Sequence, residues 1–199
     1  MASVLVFDMG GVLYDFQGDR LIAEHSRRQR RWRSEEVQQH WAELSCEFET
    51  GACNEAVFAE AILRHYDLAL DSAAFLAAFR EAAAGFYDGA LALMTELRAR
   101  HTLLSLSNTN PVQWQKVLQD LGTDDPFHAH HPSHVSGFHK PDPRAFHALA
   151  ATLPAQVERY FFDDRACNVQ AATELGWQAR RVRGVAEARR ACFEFGLLG

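Results

Sequence analysis

The stretch Val4-Leu5-Val6-Phe7-Asp8-Met9-Gly10-Gly11-Val12-Leu13 decides the fold. Four apolar residues run directly into an aspartate, two glycines follow, and apolar residues then resume. A short continuous apolar run bounded by a turn signal is the pattern of a strand buried on both faces, as inside a parallel sheet. Asp8 then falls at the carboxyl end of a central strand, where open α/β sheets hold their ligands. The glycines let the backbone turn sharply and come close to a ligand. On this stretch alone, Asp8 reads equally well as a catalytic carboxylate or as a helix cap.

Outward from that strand, the chain changes character twice. Residues 17–87 carry helical patterns only, with Asn54 and Asp71 as N-caps and Ser34 as a further cap, and Glu49-Thr50-Gly51 breaking one helix. Alternation resumes after Tyr87. Helix Ala90–Arg100, strand Thr102–Leu106, a helix opened by Pro111, a weak strand at Phe127–His131 and a helix from Pro143 follow in turn. Strand Arg159–Phe162, a helix through Leu175, strand Ala179–Val182 and a last helix from Val185 complete the chain. Strands alternating with helices imply βαβ units and a parallel sheet. The expected architecture is an α/β, Rossmann-like parallel-sheet core (1–16 and 88–199) with a helical cap (17–87) inserted after the first strand.

Bulk properties bound the function. At 199 residues the chain suits one domain with an insertion and buries a real core. A formal net charge of −6 argues against a nucleic-acid partner. Cys46, Cys53, Cys167 and Cys192 form no CxxC pair, so reduced thiols are expected rather than disulfides or zinc. No apolar run reaches membrane-spanning length, and the N-terminus enters the first strand without a basic signal segment. A cytoplasmic protein is expected, with neither membrane nor nucleic acid as partner.

Three polar groups directly follow apolar strands: Asp8, Ser107 and the pair Asp163-Asp164. Lys140 lies in the remaining loop on that side. Clustered carboxylates repel unless a cation joins them, and Mg²⁺, with its preference for hard oxygen ligands, suits them best. Metal and lysine together neutralise a phosphoryl group, while Ser107 and nearby backbone N–H groups hold its oxygens. The remaining carboxylate is then placed to attack phosphorus and form an aspartyl-phosphate.

The ordered set Asp8-Met9-Gly10-Gly11-Val12-Leu13, Ser107-Asn108-Thr109-Asn110, Lys140-Pro141-Asp142-Pro143 and Phe162-Asp163-Asp164-Arg165-Ala166-Cys167-Asn168 resembles the four motifs of the haloacid dehalogenase (HAD) superfamily. The resemblance covers essentially the whole chain, and the helical insertion matches that family's cap. The Ser-Asn-Thr-Asn loop and the Asp-Asp-x-x-x-Asn ending are most similar to the branch of sugar phosphatases such as alpha-glucose-1-phosphatase and the phosphatase domain of soluble epoxide hydrolase. The resemblance implies Asp8 as nucleophile and Mg²⁺ bound by Asp8, the Gly10 carbonyl and Asp164, with Asp163 and Asn168 supporting that shell. It implies phosphate binding by Ser107 and Asn108, and Lys140 steadying Asp8 and the transferring group.

One position departs from the family. Its phosphatases usually carry a second Asp two residues after the nucleophile, as acid for the leaving alcohol and then base for water. Here that residue is Gly10. Three readings stand open: a leaving group that needs little help, such as an anomeric, aryl or acyl phosphate; a substitute such as Asp15, a cap side chain or a water; or vestigial turnover. Dehalogenases of the family also lack this Asp but work without a metal, which the Asp163-Asp164 pair argues against.

The histidines at 128, 130, 131, 134 and 139 suggest a metal site, but their packing in one weak strand and loop points to alternating faces; His134 or His139 remains a candidate for touching substrate. The basic run Arg27–Arg33 reads as a solvated face, and Trp32, Trp41 and Phe48 as cap core rather than sugar-stacking platforms. The expected protein is a Mg²⁺-dependent phosphatase acting on a small phosphorylated metabolite, sugar phosphates among the candidates. The alternative is a catalytically degenerate HAD-like module that binds a phosphorylated ligand or a protein partner. Substrate identity and oligomeric state are not written in the sequence.

Overall fold

The computed structural model describes residues 3–27 and 34–198, leaving aside the side chains of residues 19 and 34–39. Five parallel strands form the central sheet: β1 (Val4–Phe7), β4 (Thr102–Ser107), β5 (Ala129–Pro132), β6 (Arg159–Asp163) and β7 (Gln178–Arg181), in the order β5-β4-β1-β6-β7. The expected α/β, Rossmann-like core is what the chain adopts. All four residues of β1 are buried, and the period-2 alternation of a strand divides them between two cores. Leu5 and Phe7 pack with Leu93, Met94 and Leu97 of α5 (Ala90–Arg98), Val117 of α6 (Pro111–Leu121) and Ala188 of α10 (Gly184–Glu194). Val4 and Val6 face Phe146 and Leu149 of α8 (Pro143–Ala150) and Ala172 of α9 (Ala166–Glu174). The rings of Phe7 and Phe162 stack with centroids 4.6 Å apart, tying β1 to β6.

Register carries the consequence for the site. Phe7 pairs with Ser105 on one side and Phe162 on the other. The next residue of β1, Asp8, therefore sits level with Leu106 and Asp163 at one rim of the sheet.

The described residues between 18 and 81 fold into α1 (Gly18–His25), α2 (Ser34–Glu49), α3 (Glu55–Tyr66) and α4 (Ser72–Glu81) around their own core of Phe48, Phe58, Ile62, Tyr66, Phe75 and Phe79. Asn54 and Asp71 cap α3 and α4 as expected, accepting from Val57 N–H and Ala74 N–H. The cap expected at Ser34, the arginines from 28 to 33 and Trp32 fall outside what is described.

The expectation of an all-helical stretch to residue 87 is corrected by an antiparallel hairpin. β2 (Tyr14–Phe16) pairs with β3 (Ala83–Phe86), so the two strands bracket the four helices. Their three- and four-residue runs are too short to show a period, and the turn that would mark a hairpin is replaced by the whole helical insertion. A single-turn helix, α7 (Ser133–Ser136), also follows β5 directly. Among the described residues, no helix is long and apolar enough to cross a membrane.

Candidate active site

Asp8 leaves β1 with its backbone N–H bonded to the Phe162 carbonyl (2.9 Å), while its Oδ1 accepts from Met9 N–H (2.8 Å). Lys140 arrives from the loop before α8 and is 1% exposed. Its Nζ lies 2.6 Å from the Leu106 carbonyl, 2.7 Å from Asp163 Oδ2 and 3.0 Å from Asp8 Oδ1. Three acceptors arranged about one ammonium satisfy its three protons, so the lysine is fixed rather than mobile. Burial pulls its pKa down, but Asp163 and Asp8 more than offset this and hold it above the ordinary lysine value.

Asp163 closes the arrangement from β6. Asn168 Nδ2 donates to both of its oxygens (3.0 Å each), and Arg165 N–H donates to Oδ1 (2.8 Å). With Lys140 added, the Asp163 lone pairs are taken up within the protein. Asp164 is differently placed. Its backbone carbonyl accepts from Arg181 Nε (2.8 Å), and its carboxylate abuts the bare Cα of Gly11, where a β-carbon would stand 2.9 Å from Oδ2. Gly11 holds φ +72°, which only glycine adopts without strain, so this close approach depends on the second glycine of the opening stretch.

Asp8, Asp163 and Asp164 each offer one oxygen within 4.8 Å of the other two. Burial, opposed by Lys140 and reinforced by Asp163 and Asp164, pushes the Asp8 carboxyl up to about 7. Burial and then Asp163 likewise raise Asp164. This is a set of hard oxygen donors whose mutual repulsion a divalent cation would relieve, and Mg²⁺ fits the donor chemistry. Asp8 and Asp164 are the members with lone pairs to give; Asp163 is committed to Lys140, Asn168 and Arg165.

A cavity of about 340 Å³ opens over this cluster. Its floor holds Asp8, Gly10, Lys140 and Asp164, with Asn108 and Thr109 on one side. Asn108 is locked by the Lys140 backbone: its Oδ1 accepts from Lys140 N–H and its Nδ2 donates to Lys140 C=O, both at 2.8 Å. Ser107 ends β4 in a buried position and is not among the residues lining the cavity, whereas Gly10, Asn108 and Asn168 are.

Sequence reasoning missed several features of the walls. Glu49, at the end of α2, and Trp41 from the same helix both line the cavity, as does Thr109, whose buried hydroxyl has no hydrogen-bond partner. Trp41 packs against Phe58 and Phe79 as expected of core, yet it is also part of the cavity wall. Of the histidines among the described residues, only His139 reaches the cavity; His134 Nδ1 donates to the Thr109 carbonyl (3.2 Å). The others pack locally. His128 Nδ1 accepts from Leu103 N–H, and His130 bridges Ser105 and Asp125. Among the described residues, the three aspartates are the one cluster of three or more metal-ligating side chains.

A family model described as haloacid dehalogenase-like hydrolase matches residues 2–176. Among solved structures, a HAD family enzyme from Bacteroides thetaiotaomicron, in complex with magnesium and inorganic phosphate, aligns with a TM-score of 0.74 at 21% identity, over 92% of this chain and 95% of that one. A HAD-like family hydrolase from Porphyromonas gingivalis aligns at 0.72 and 21% identity, over 98% of each chain. L-2-haloacid dehalogenase from Xanthobacter autotrophicus aligns at 0.63 and 24% identity, over 92% of this chain and 78% of that one. At these identities the likenesses speak for the fold, whereas the family match spans most of the sequence. The chain belongs to the haloacid dehalogenase-like hydrolases.

Proposed function

We propose that the protein is a Mg²⁺-dependent phosphomonoesterase that transfers the phosphoryl group of a small metabolite to Asp8. The observation that carries this is the buried Lys140 ammonium shared by Asp8 and Asp163, beside Asp164 and beneath a cavity of metabolite size. A cation would be held by Asp8, the Gly10 carbonyl and Asp164, and would supply charge neutralisation for the phosphoryl oxygens. Lys140 and Met9 N–H both hold Asp8 through Oδ1, which leaves Oδ2 as the oxygen to meet an incoming phosphorus. The backbone N–H groups of the loop around Ser107 and Asn108, rather than the committed Asn108 amide, would hold the phosphoryl oxygens, and Asp163 and Asn168 keep the lysine in place.

The magnesium and inorganic phosphate held by the Bacteroides structure agree with this chemistry. The dehalogenase likeness is weaker in overlap, and a pair of adjacent aspartates facing Lys140 is charge that carbon–halogen displacement does not require. Trp41, Ser45 and Gln113 in the upper wall offer an aromatic face and neutral polar groups, which suits a hydroxyl-bearing leaving group such as a sugar. The four cysteines stand unpaired, in keeping with the cytoplasm as its compartment. The second reading, a degenerate binding module, is favoured by Gly10 alone.

Hydrolysis of p-nitrophenyl phosphate separates the two. Turnover that requires Mg²⁺, stops with EDTA and is lost in Asp8→Asn supports the enzyme. A flat baseline with this activated ester would leave the binding module.

A further inference from the structure

An alkoxide departs from phosphorus only when a proton reaches it, and the water that later attacks an aspartyl-phosphate must give one up. Position 10 cannot do this work. It is glycine, and a β-carbon there would lie 3.2 Å from Phe16 Cδ2, so that ring already fills the space a side chain would need.

The other ionisable groups of the cavity can be taken in turn. Lys140 is committed to three acceptors, and Arg165 keeps its charge at any working pH. Asp15 is tied up by Gln17 Nε2 (2.8 Å) and by the Tyr87 hydroxyl, and Tyr87, raised above the ordinary tyrosine value by burial first, spends its own proton on that bond. Asp8 and Asp164 belong to the phosphoryl and cation sites. Two residues are left, and they touch each other: His139 Nε2 lies 2.6 Å from Glu49 Oε2.

The geometry assigns them different roles. The Lys140 backbone fixes the amide of Asn108, so Nδ2 presents a proton to His139 Nδ1 at 3.0 Å. That nitrogen must accept, so the ring proton sits on Nε2 and is donated to Glu49. Both imidazole nitrogens are therefore engaged. Glu49 has one oxygen held by the histidine and the other available. It reaches the cavity from the far end of α2, where Ser133 Oγ donates to its backbone carbonyl (2.5 Å) and Gly51 lies so close that a β-carbon would meet the His134 carbonyl at 2.8 Å.

Granting the phosphatase reading above, we propose that Glu49 is the general acid and base of this enzyme and that His139 is its positioning residue. In the first half-reaction, protonated Glu49 gives its proton to the ester oxygen as the bond from that oxygen to phosphorus breaks and the Asp8 oxygen–phosphorus bond forms. The alcohol leaves. In the second, the Glu49 carboxylate takes a proton from water as the water oxygen bonds to phosphorus and the Asp8–phosphorus bond breaks. Inorganic phosphate leaves and Glu49 is protonated again. The catalytic carboxylate thus comes from the helical insertion, and only a docked insertion makes the site complete.

Glu49→Gln tests this, since the amide oxygen still accepts from His139 but no proton can be exchanged. For glucose 6-phosphate, a poor leaving group, kcat/KM is expected to fall about 100- to 1,000-fold. For p-nitrophenyl phosphate it falls less than about tenfold, because nitrophenolate leaves without a proton. The variant then stalls at the second half-reaction: one equivalent of nitrophenolate appears as a burst, and acid quenching traps a phosphorylated protein. His139→Gln, whose amide offers the same donor and acceptor, retains more alkyl-ester turnover than His139→Ala. Equal losses for both esters with no burst would mean that Glu49 only anchors the insertion, and an unchanged Glu49→Gln would mean that it does nothing; either overturns the proposal. A wild-type protein inactive on both esters instead sinks the phosphatase reading itself.

Discussion

A β-carbon on Gly11 would stand 2.9 Å from Asp164 Oδ2, closer than any packing tolerates. Position 11 therefore sets where the second carboxylate of the cation site can lie. Gly11→Ala adds this clash to the strain of a non-glycine residue at φ +72°, roughly 1–2 kcal/mol in the left-handed region. We expect Mg²⁺ affinity, measured calorimetrically, to weaken tenfold or more while circular dichroism still shows a folded protein. Undiminished Mg²⁺ binding would remove Asp164 from the ligand set.

Lys140 neutralises two carboxylates from inside the protein. Lys140→Met leaves Asp8 and Asp163 facing each other without their cation, together with a Leu106 carbonyl that has lost its donor. Removing one partner of a buried ion network typically costs about 3–5 kcal/mol. Urea denaturation should show a loss of that order at neutral pH, and phosphatase activity should disappear with it. A loss below about 1 kcal/mol would contradict the buried geometry.

Asp8 works against stability in the metal-free protein. Its carboxyl is raised, by burial first, from 3.8 to about 7. Between those two values the folded state holds a proton that the unfolded state has released, so stability is fully present below about pH 4 and drains away as pH climbs through 7. Asp8→Asn carries no such charge. Without metal, the variant should melt at least ~2–4 °C above wild type at pH 8, the shift of about 1 kcal/mol in a domain this size, and the gap should close at pH 4. Saturating Mg²⁺ should narrow the gap at pH 8 by stabilising the wild type alone. A wild type that melts higher than the variant in EDTA at pH 8 would overturn the assigned direction.

What the sequence disclosed, and what it hid, divides by range of interaction. The apolar run Val4–Phe7 announced a strand buried on both faces, and the core clusters divide its residues as alternation requires. Asn54 and Asp71 act as caps because a short polar side chain before a helix bonds its own next turn, a local event. Asp8, Lys140, Asp163 and Asp164 were legible because parallel strands deliver their carboxyl ends to one rim. The β2–β3 hairpin was not, since four helices separate its two short strands along the chain. Glu49 and His139 were hidden for the same reason: neither residue's neighbours in sequence hint at the other, and Glu49 looked like the residue that merely ends a helix.

Two half-buried histidines outside the cavity lining, His131 and His134, predict an acid limit. His131 is lowered by burial and then by His130, and His134 by burial, with its bond to the Thr109 carbonyl opposing. Below the ordinary value of 6.5 the unfolded chain takes up protons that these rings resist, so stability falls as pH drops from 6.5. Replacing both by Gln should flatten this limb in thermal melts between pH 6.5 and 5. If the double variant keeps the wild-type slope, other groups set the acid limit.

The Thr109 hydroxyl is the last specific mark of a ligand. It is buried on the cavity wall with no hydrogen-bond partner in the protein, although buried hydroxyls are normally paired. Its neighbours offer no relief, because the Thr109 N–H donates to Ser133 Oγ (2.9 Å) and the Thr109 C=O accepts from His134 Nδ1 (3.2 Å). A bound oxyanion or substrate hydroxyl would supply the missing partner. Thr109→Val conserves the shape and deletes only the hydroxyl, so the free protein should lose no stability and gain up to about 1 kcal/mol. The affinity for inorganic phosphate in the presence of Mg²⁺ should fall roughly tenfold, the worth of one such hydrogen bond. A destabilised variant with unaltered phosphate binding would show instead that the hydroxyl serves the fold.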